Sequence, residues 1–328
     1  MTSPATALVT GATGFIGSHL CRALLQAGWR VRALHRPTSN LAAIESLRLE
    51  LITGDILDPD SLARALRGVH TVFHAAAESA YWRRPRDVFQ AAVAGTHHVV
   101  EAAVAAGART LVLTSSVAAL GVPGPGELLT EEHTFRLPPR AFPYGYAKYQ
   151  SELTARRLAE GRIHLVIVNP SVVLGPGDLN LISGSILLET ARGRSFAYND
   201  GGVNVVHIDD VTAGHLAAAQ FGANGERYIL GGENLTHRQI LTEAARLVGR
   251  RPPWLRIPNL AIPPLAALLD LLARFVPTPI NGAQLRMSRH RLWVDTSKAQ
   301  RDLGLPPPKP FSLALQQAYD WYQSAGVI

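Results

Sequence analysis

Leu8-Val9-Thr10-Gly11-Ala12-Thr13-Gly14-Phe15-Ile16-Gly17 is the stretch on which the reading of this chain turns. The apolar run at residues 7–9 predicts a buried strand. Three glycines spaced three apart follow, and then an apolar-periodic helix over residues 15–27, closed by Gly28 at its C′ position. A strand that turns through glycines into a helix offers unpaired backbone N–H groups, and the positive end of the helix dipole, to an anion. In such a turn Gly11 allows the sharp corner, Gly14 lets a pyrophosphate reach the backbone, and Gly17 lets the helix pack closely on the strand. With a strand before it and a helix after it, the turn predicts a dinucleotide site rather than a purely structural corner.

Outward from this turn, residues 30–35 alternate as a second strand. An acidic residue usually ends that strand and takes both ribose hydroxyls of NAD. Here it ends Leu34-His35-Arg36-Pro37, with no acid and an arginine in reach. A carboxylate would repel a 2′-phosphate and Arg36 would pair with it, so NADP is favoured over NAD; the alternative is that Arg36 is a plain surface charge. Residues 49–53 read as a third strand. Asp55 beyond it is either an adenine acceptor or a turn residue, and Asp58 is placed to cap a helix over residues 59–66. A fourth strand over residues 71–74 runs into Ala75-Ala76-Ala77, small residues that suit a closely approached backbone. A helix over residues 88–106 and a fifth strand over residues 109–113 follow, ending Thr114-Ser115-Ser116. This alternation predicts an α/β fold, a doubly wound parallel sheet of Rossmann type, with ligands at the carboxyl ends of its strands.

Residues 117–142 are rich in Gly and Pro without periodicity, as site-serving loops often are. Pro143 then introduces a helix over residues 144–160 that carries Tyr144 and Lys148, four apart and on one face. A phenol with a free pKa of about 10 is a poor proton donor at neutral pH, and an adjacent ammonium stabilises the phenolate. Of the 32 basic residues 29 are Arg and only three are Lys, so a lysine at this spacing stands out.

Composition bounds the rest. At 328 residues, 47% apolar, the chain can bury a large core. Its net charge of +7 is spread over scattered arginines with no basic block and no aromatic platform, which argues against nucleic acid. The single cysteine, Cys21, excludes an internal disulfide and a cysteine-built metal site, and no metal is expected. Residues 1–7 lack a basic segment followed by an apolar core, so no secretory signal is expected and a cytoplasmic location is. The apolar run at residues 260–276 is broken by Pro263, Pro264, Asp270 and Arg274, which excludes a membrane span.

A sixth strand over residues 163–168 runs into Asn169-Pro170. Beyond it helices are expected near residues 211–220, 238–248 and 260–275, the last as a core or dimer helix rather than a lipid-facing one. Residues 1–170 form the expected dinucleotide-binding unit, with strand and helix returns near 203–221. Residues 171–328 form a smaller, mixed substrate lobe interleaved with it. His207, Asp209 and Asp210 are read as packing and capping at the lobe junction rather than a metal or acid/base cluster. Tyr81 and Trp82 are either pocket wall or core.

Taken together these residues resemble the extended short-chain dehydrogenase/reductase family. The motifs span the Gly11-Gly14-Gly17 turn, Asp55, Ala75 to Ala77, Ser116, Tyr144 with Lys148, and Asn169-Pro170. They continue through Gly175-Pro176-Gly177, Val206-His207-Ile208-Asp209-Asp210-Val211 and Asp295-Thr296-Ser297-Lys298-Ala299. Within the family the chain looks most like the dihydroflavonol-4-reductase-like branch, and the run Gly225-Glu226-Arg227-Tyr228-Ile229-Leu230-Gly231-Gly232-Glu233-Asn234 is similar to the bacterial hopanoid-associated sugar epimerase group.

The resemblance implies Tyr144 as acid/base, Lys148 as the residue that holds the nicotinamide ribose and lowers the tyrosine pKa, and Ser116 as the donor to the substrate oxygen. It implies a cofactor site in which Thr13, Phe15 and Ile16 join the three glycines. His35 and Arg36 follow at the second strand end, then Asp55 and Ile56, then Ala75, Ala76, Ala77 and Thr114 ahead of Tyr144 and Lys148, and lastly Pro170, Val172 and Val173. Ala147 and Ala92 stand where the family often has Ser and Asn, and His35 replaces a frequent acid, which again favours NADP. The activity so implied is NAD(P)-dependent reduction of a ketone or aldehyde, or oxidation of the alcohol. The alternative is a nucleotide-sugar epimerase or dehydratase with bound NAD, which needs a diphosphate clamp for which Arg192, Arg194 and Arg227 are candidates. A non-catalytic NADP-sensing regulator has no need of Tyr144 and Lys148. A homodimer is the family's expectation.

Overall fold

A computed structural model of the chain describes residues 5–77, 85–179, 184–272 and 281–328. The first strand, β1 (Thr6–Thr10), leads through the glycine turn into α1 (Phe15–Gln26). Leu8 and Val9 are both fully buried because they face opposite apolar layers. Val9 packs with Leu20 and Leu24 of α1, and Leu8 with Leu62, Val99 and Leu165. A strand covered on both faces gives a continuous apolar run rather than an alternating one.

The chain continues through β2 (Arg30–His35), β3 (Glu50–Thr53), α2 (Pro59–Ala65), β4 (Thr71–His74), α3 (Pro85–Ala105), β5 (Thr110–Thr114), α4 (Pro143–Ala159) and β6 (His164–Pro170). After β7 (Val172–Leu174), α5 (Ser185–Ala191) and β8 (Ala197–Tyr198) come β9 (Gly202–His207), α6 (Ile208–Phe221), β10 (Arg227–Leu230), β11 (Glu233–Thr236) and α7 (His237–Leu247). The chain ends in β12 (Leu255–Arg256), α8 (Ile262–Leu272), α9 (Gly282–Ser288), β13 (Arg291–Leu292), α10 (Ser297–Leu303) and α11 (Phe311–Ser324).

Seven strands form one parallel sheet in the order β10-β6-β5-β4-β1-β2-β3. The order reverses between β1 and β4, which opens a crevice at their carboxyl ends. α2, α3 and α4 cover one face; α1 and α6 cover the other. A smaller mixed sheet is built on β9, which runs parallel to β7 and β13 and antiparallel to β11.

Three features differ from expectation. The chain returns to the main sheet through α6 and β10, whereas the strand over residues 202–207 belongs to the smaller sheet. β10 carries no strand signal in the sequence, being four residues long with its partner β6 far back in the chain. The aperiodic segment 117–142 is not a free loop: the Glu131 carboxylate accepts from Ile229 N at 2.8 Å, Leu129 bridges to Val294, and Phe135 and Phe142 are buried. It thereby covers the outer edge of β10, a strand edge that is otherwise open to pairing with another chain. Finally, of the core and dimer roles expected for the helix over residues 260–275, the core role does not hold for α8, since Leu265, Leu268, Leu271 and Leu272 are exposed. No described helix is long and apolar enough to cross a membrane.

Candidate active site

The turn after β1 has the geometry its glycines suggest. Gly11 takes φ +69°, and a Cβ there would lie 2.6 Å from Ala76 Cα, so the turn lies directly against the alanine triplet after β4. Gly14 N donates to Gly11 O at 2.9 Å, and a Cβ on Gly17 would collide with that same carbonyl oxygen. Gly17 is thus required by the turn itself as much as by the strand. Helix α1 has Gly14 as N-cap and no side chain capping the N–H groups of its first turn, whereas Asp58 caps α2 by accepting from Asp60 N. The N–H groups around Thr13, Phe15 and Ile16 therefore face no capping side chain, as an anion site requires.

At the end of β2, His35 Nδ1 donates to Arg36 O at 3.1 Å. Arg36 is exposed, and its guanidinium pairs with no described residue. Asp55 Oδ1 accepts from Leu57 N at 2.9 Å, the geometry of a turn residue, and Ile56 packs beneath it against Gly95.

Ala76 and Ala77, Thr114 from the end of β5, and Tyr144 and Lys148 from α4 line one pocket together with His74, Val88, Ala92, Thr96 and Ser151. The pocket sits beside the glycine turn, because Ala76 touches both. Lys148 is buried, and its Nζ donates to the Thr114 carbonyl oxygen at 3.0 Å. Burial pushes its ammonium down to about 8, partly offset by the Glu152 carboxylate one turn on. Tyr144 is half-buried, its ring tilted against Phe142 at 6.5 Å. Ser116 lies outside the residues lining this pocket; its Oγ accepts from Ala118 N at 3.2 Å and starts a short 3-10 turn, Val117–Leu120. Pro170 ends β6, Val173 is buried and Val172 is exposed.

Three buried polar networks around the pocket escaped the sequence reading. In the first, Thr10 Oγ1, His74 and Thr96 Oγ1 are linked at 2.8 and 3.1 Å, and Thr96 reaches Ser151 Oγ at 2.8 Å. Burial, and secondly the nearby Lys148 charge, push His74 down to about 3, so it is neutral. In the second, His215 Nδ1 lies 2.7 Å from the Val211 carbonyl, which only accepts, so Nδ1 is the donor and Nε2 accepts the Thr114 hydroxyl at 2.9 Å. In the third, buried Glu152 accepts from Ser115 Oγ at 2.5 Å and Asn169 Nδ2 at 2.7 Å, and pairs with Arg227 at 3.3 Å. The available signal was a polar residue inside an apolar run, as at His74 and Asn169. Such residues are tolerated in a core only when fully hydrogen-bonded.

Asn169 Oδ1 and Ser171 Oγ are buried at the end of β6 without a described partner. With the uncapped helix and a turn that requires glycine at positions 11 and 17, they make a donor and acceptor set that suits a nicotinamide dinucleotide. Elsewhere, His207 accepts from Asp209 N and donates to Gln317, and Lys309 pairs with Asp209. No metal-holding group of three His, Cys, Asp or Glu occurs among the described residues. Arg192 and Arg194 pair with Glu189, and Arg227 with Glu152, and none of the three clamp candidates lines the pocket. Tyr81 and Trp82 lie outside the described residues.

Residues 7–231 match the family described as the NAD dependent epimerase/dehydratase family. A putative dihydroflavonol 4-reductase from Synechocystis sp. is 36% identical over 331 residues, covering 98% of this chain and 95% of that protein. Sterol demethylase protein B from Methylococcus capsulatus is also 36% identical, over 329 residues, covering 98% of this chain and 100% of that one. Among solved structures, a nucleoside-diphosphate-sugar epimerase from Pseudomonas aeruginosa superposes with a TM-score of 0.83 at 26% identity, covering 99% of this chain and 100% of that one.

Proposed function

The chain belongs to the NAD dependent epimerase/dehydratase family, the extended short-chain dehydrogenase/reductases, and on that premise we propose that it is an NADP-preferring reductase of an uncharged ketone or aldehyde. The observation that carries the reading is the shared pocket of Tyr144 and Lys148 at the carboxyl ends of β4 and β5, next to the glycine turn. The bound nicotinamide supplies or takes up the hydride. Tyr144 gives its hydroxyl proton to the carbonyl oxygen as that oxygen gains charge, and the Lys148 ammonium favours the phenolate left behind. Ser116 Oγ, just outside the residues that line the pocket, accepts from Ala118 N and keeps its own hydrogen, free to donate to a substrate oxygen that reaches it. The N–H groups around Gly11, Gly14 and Gly17 hold the pyrophosphate, and Arg36 takes the 2′-phosphate.

Small apolar residues Ala76, Ala77, Val88 and Ala92 in the pocket wall favour an apolar substrate, in keeping with the dihydroflavonol and sterol in the relatives' names. The epimerase in the structural comparison keeps a second reading in view, nucleotide-sugar epimerisation on bound NAD. Against it, Arg192, Arg194 and Arg227 are already paired. Residues 1–170, joined by the returns through α6 and β10, serve as the cofactor-binding unit and the rest of residues 171–328 as the substrate lobe interleaved with it, in the cytoplasm.

A panel of carbonyl compounds and nucleotide sugars, assayed with both nicotinamides, tests the reading. Tyr144→Phe should cut turnover of any carbonyl substrate by roughly a hundredfold or more while cofactor still binds. Retained turnover would reject the mechanism. A nucleotide sugar that epimerises without net change in cofactor absorbance would favour the second reading.

A further inference from the structure

Helix α8 turns an apolar side to solvent. Of its residues only Ile262 and Ala266 are buried, on the side where Gly282 of α9 abuts the Ala266 carbonyl. Leu265, Leu268, Leu271 and Leu272 are 40, 51, 50 and 44% exposed, and Leu260 just before the helix is 89% exposed. Positions 265, 268 and 272 fall on one helical face. The helix's one charged residue, Asp270, is drawn back to α9, accepting from Gly282 N at 2.9 Å and from Arg286 at 2.8 Å. An uncharged leucine face of this kind in water marks an interaction surface.

The surrounding charge selects the partner. Residues 249–292 hold seven arginines in a chain whose whole net charge is +7; Arg256 pairs with Asp200 and Arg286 with Asp270, which leaves Arg250, Arg251, Arg289 and Arg291 without an ion pair among the described residues. Two copies meeting on α8 would bring two such basic segments together, which Coulomb repulsion opposes. An anionic bilayer answers both features, an apolar layer for the leucines and negative headgroups for the arginines. Trp254, 73% exposed and 6.4 Å from the Phe196 ring, lies in the same basic stretch and is of the kind enriched at membrane interfaces. With 11 residues α8 is too short to span a bilayer. We propose that α8 and its flanking arginines form a docking surface that lies in the plane of an anionic membrane. This inference is independent of the reaction assigned above.

Flotation of the full chain with vesicles tests it, using phosphatidylcholine alone or mixed in equal parts with phosphatidylglycerol. The chain should float with the anionic vesicles only, and less as salt is raised. Leu268→Glu combined with Leu271→Glu should lower the bound fraction by about tenfold or more, and Arg251→Ala by about fivefold, with cofactor binding unchanged in both. Failure to float with anionic vesicles, or undiminished flotation of the leucine variant, overturns the proposal. So does a dimer in sedimentation velocity that the leucine variant dissolves, since a second copy then covers the face. Stoichiometric binding of polyglutamate without flotation overturns it in favour of an acidic protein partner.

Discussion

Lys148 Nζ, on α4, donates to the carbonyl oxygen of Thr114, the last residue of β5, at 3.0 Å. The hydroxyl of the same threonine donates to His215 Nε2 on α6, from the opposite face of the sheet. The end of β5 is therefore fixed from both sides, and the ammonium of Lys148 is held in the wall of the pocket that Tyr144 also lines.

Holding a buried cation there has a pH signature. The native chain releases the Lys148 proton near pH 8, whereas the unfolded chain keeps it to about 10.5. The unfolded state binds more protons in that window, so stability rises with pH across it and is lost as pH falls to about 8. Lys148→Met lacks this titration. Its urea midpoint relative to wild type, without cofactor, should be highest below pH 8 and fall as pH approaches 10. Parallel curves for the two proteins would show that Lys148 is not buried as a cation.

Buried histidines act in the acid range. His74 and His215 are pushed down to about 3 and 4 from an ordinary 6.5. The unfolded chain takes up protons that the native one refuses, so stability falls as pH drops from about 6.5 towards 4. His215→Gln, whose amide can donate to Val211 and accept from Thr114, should cost about 1 kcal/mol at pH 7. It should then lose less than wild type on acidification to pH 4.5, as read from urea midpoints. An equal loss in both would mean that His215 does not titrate on unfolding.

Arg36 is exposed at the end of β2 with no described partner for its guanidinium. Arg36→Ala should weaken NADPH binding by roughly ten- to a hundredfold, the worth of charge-assisted hydrogen bonds, while NADH affinity barely moves. Isothermal titration with both cofactors reads the ratio. An unaltered ratio takes Arg36 out of the cofactor site.

Two glycines of the turn should separate folding from binding. At Gly17 a new Cβ meets the Gly11 carbonyl head-on, so Gly17→Ala should destabilise the chain by about 1–3 kcal/mol and weaken cofactor binding with it. At Gly14 the same atom would sit 3.2 Å from that oxygen, an approach the turn can absorb. Gly14→Ala should keep near-wild-type stability and still lose cofactor affinity, because the methyl stands where the pyrophosphate must come. Full-strength binding by Gly14→Ala would place the pyrophosphate elsewhere.

Much of the sheet was legible in the sequence for a simple reason. Its strands are short apolar runs covered on both faces, separated by amphipathic helices and closed by glycines such as Gly28 and Gly107, which take positive φ. The Asp58 cap and the Tyr144–Lys148 face are likewise local, set by spacing along one helix. The strand at residues 227–230 was not legible, because four residues carry little periodic signal and its partner β6 lies far back in the chain.

By itself, then, the sequence determined most of the strands and helices from which the sheet is built, the glycine turn and the tyrosine–lysine pair, since each depends on residues within a few positions of one another. Only the tertiary structure decided that Glu131 seals the edge of β10, that Arg227 is spent on Glu152, that Thr114 is locked by His215, and that α8 shows its leucines to solvent. Those contacts join residues 75 to 101 positions apart, or depend on what fails to cover a helix. Hydrogen bonding and burial depend on distance in space, which one-dimensional order does not record.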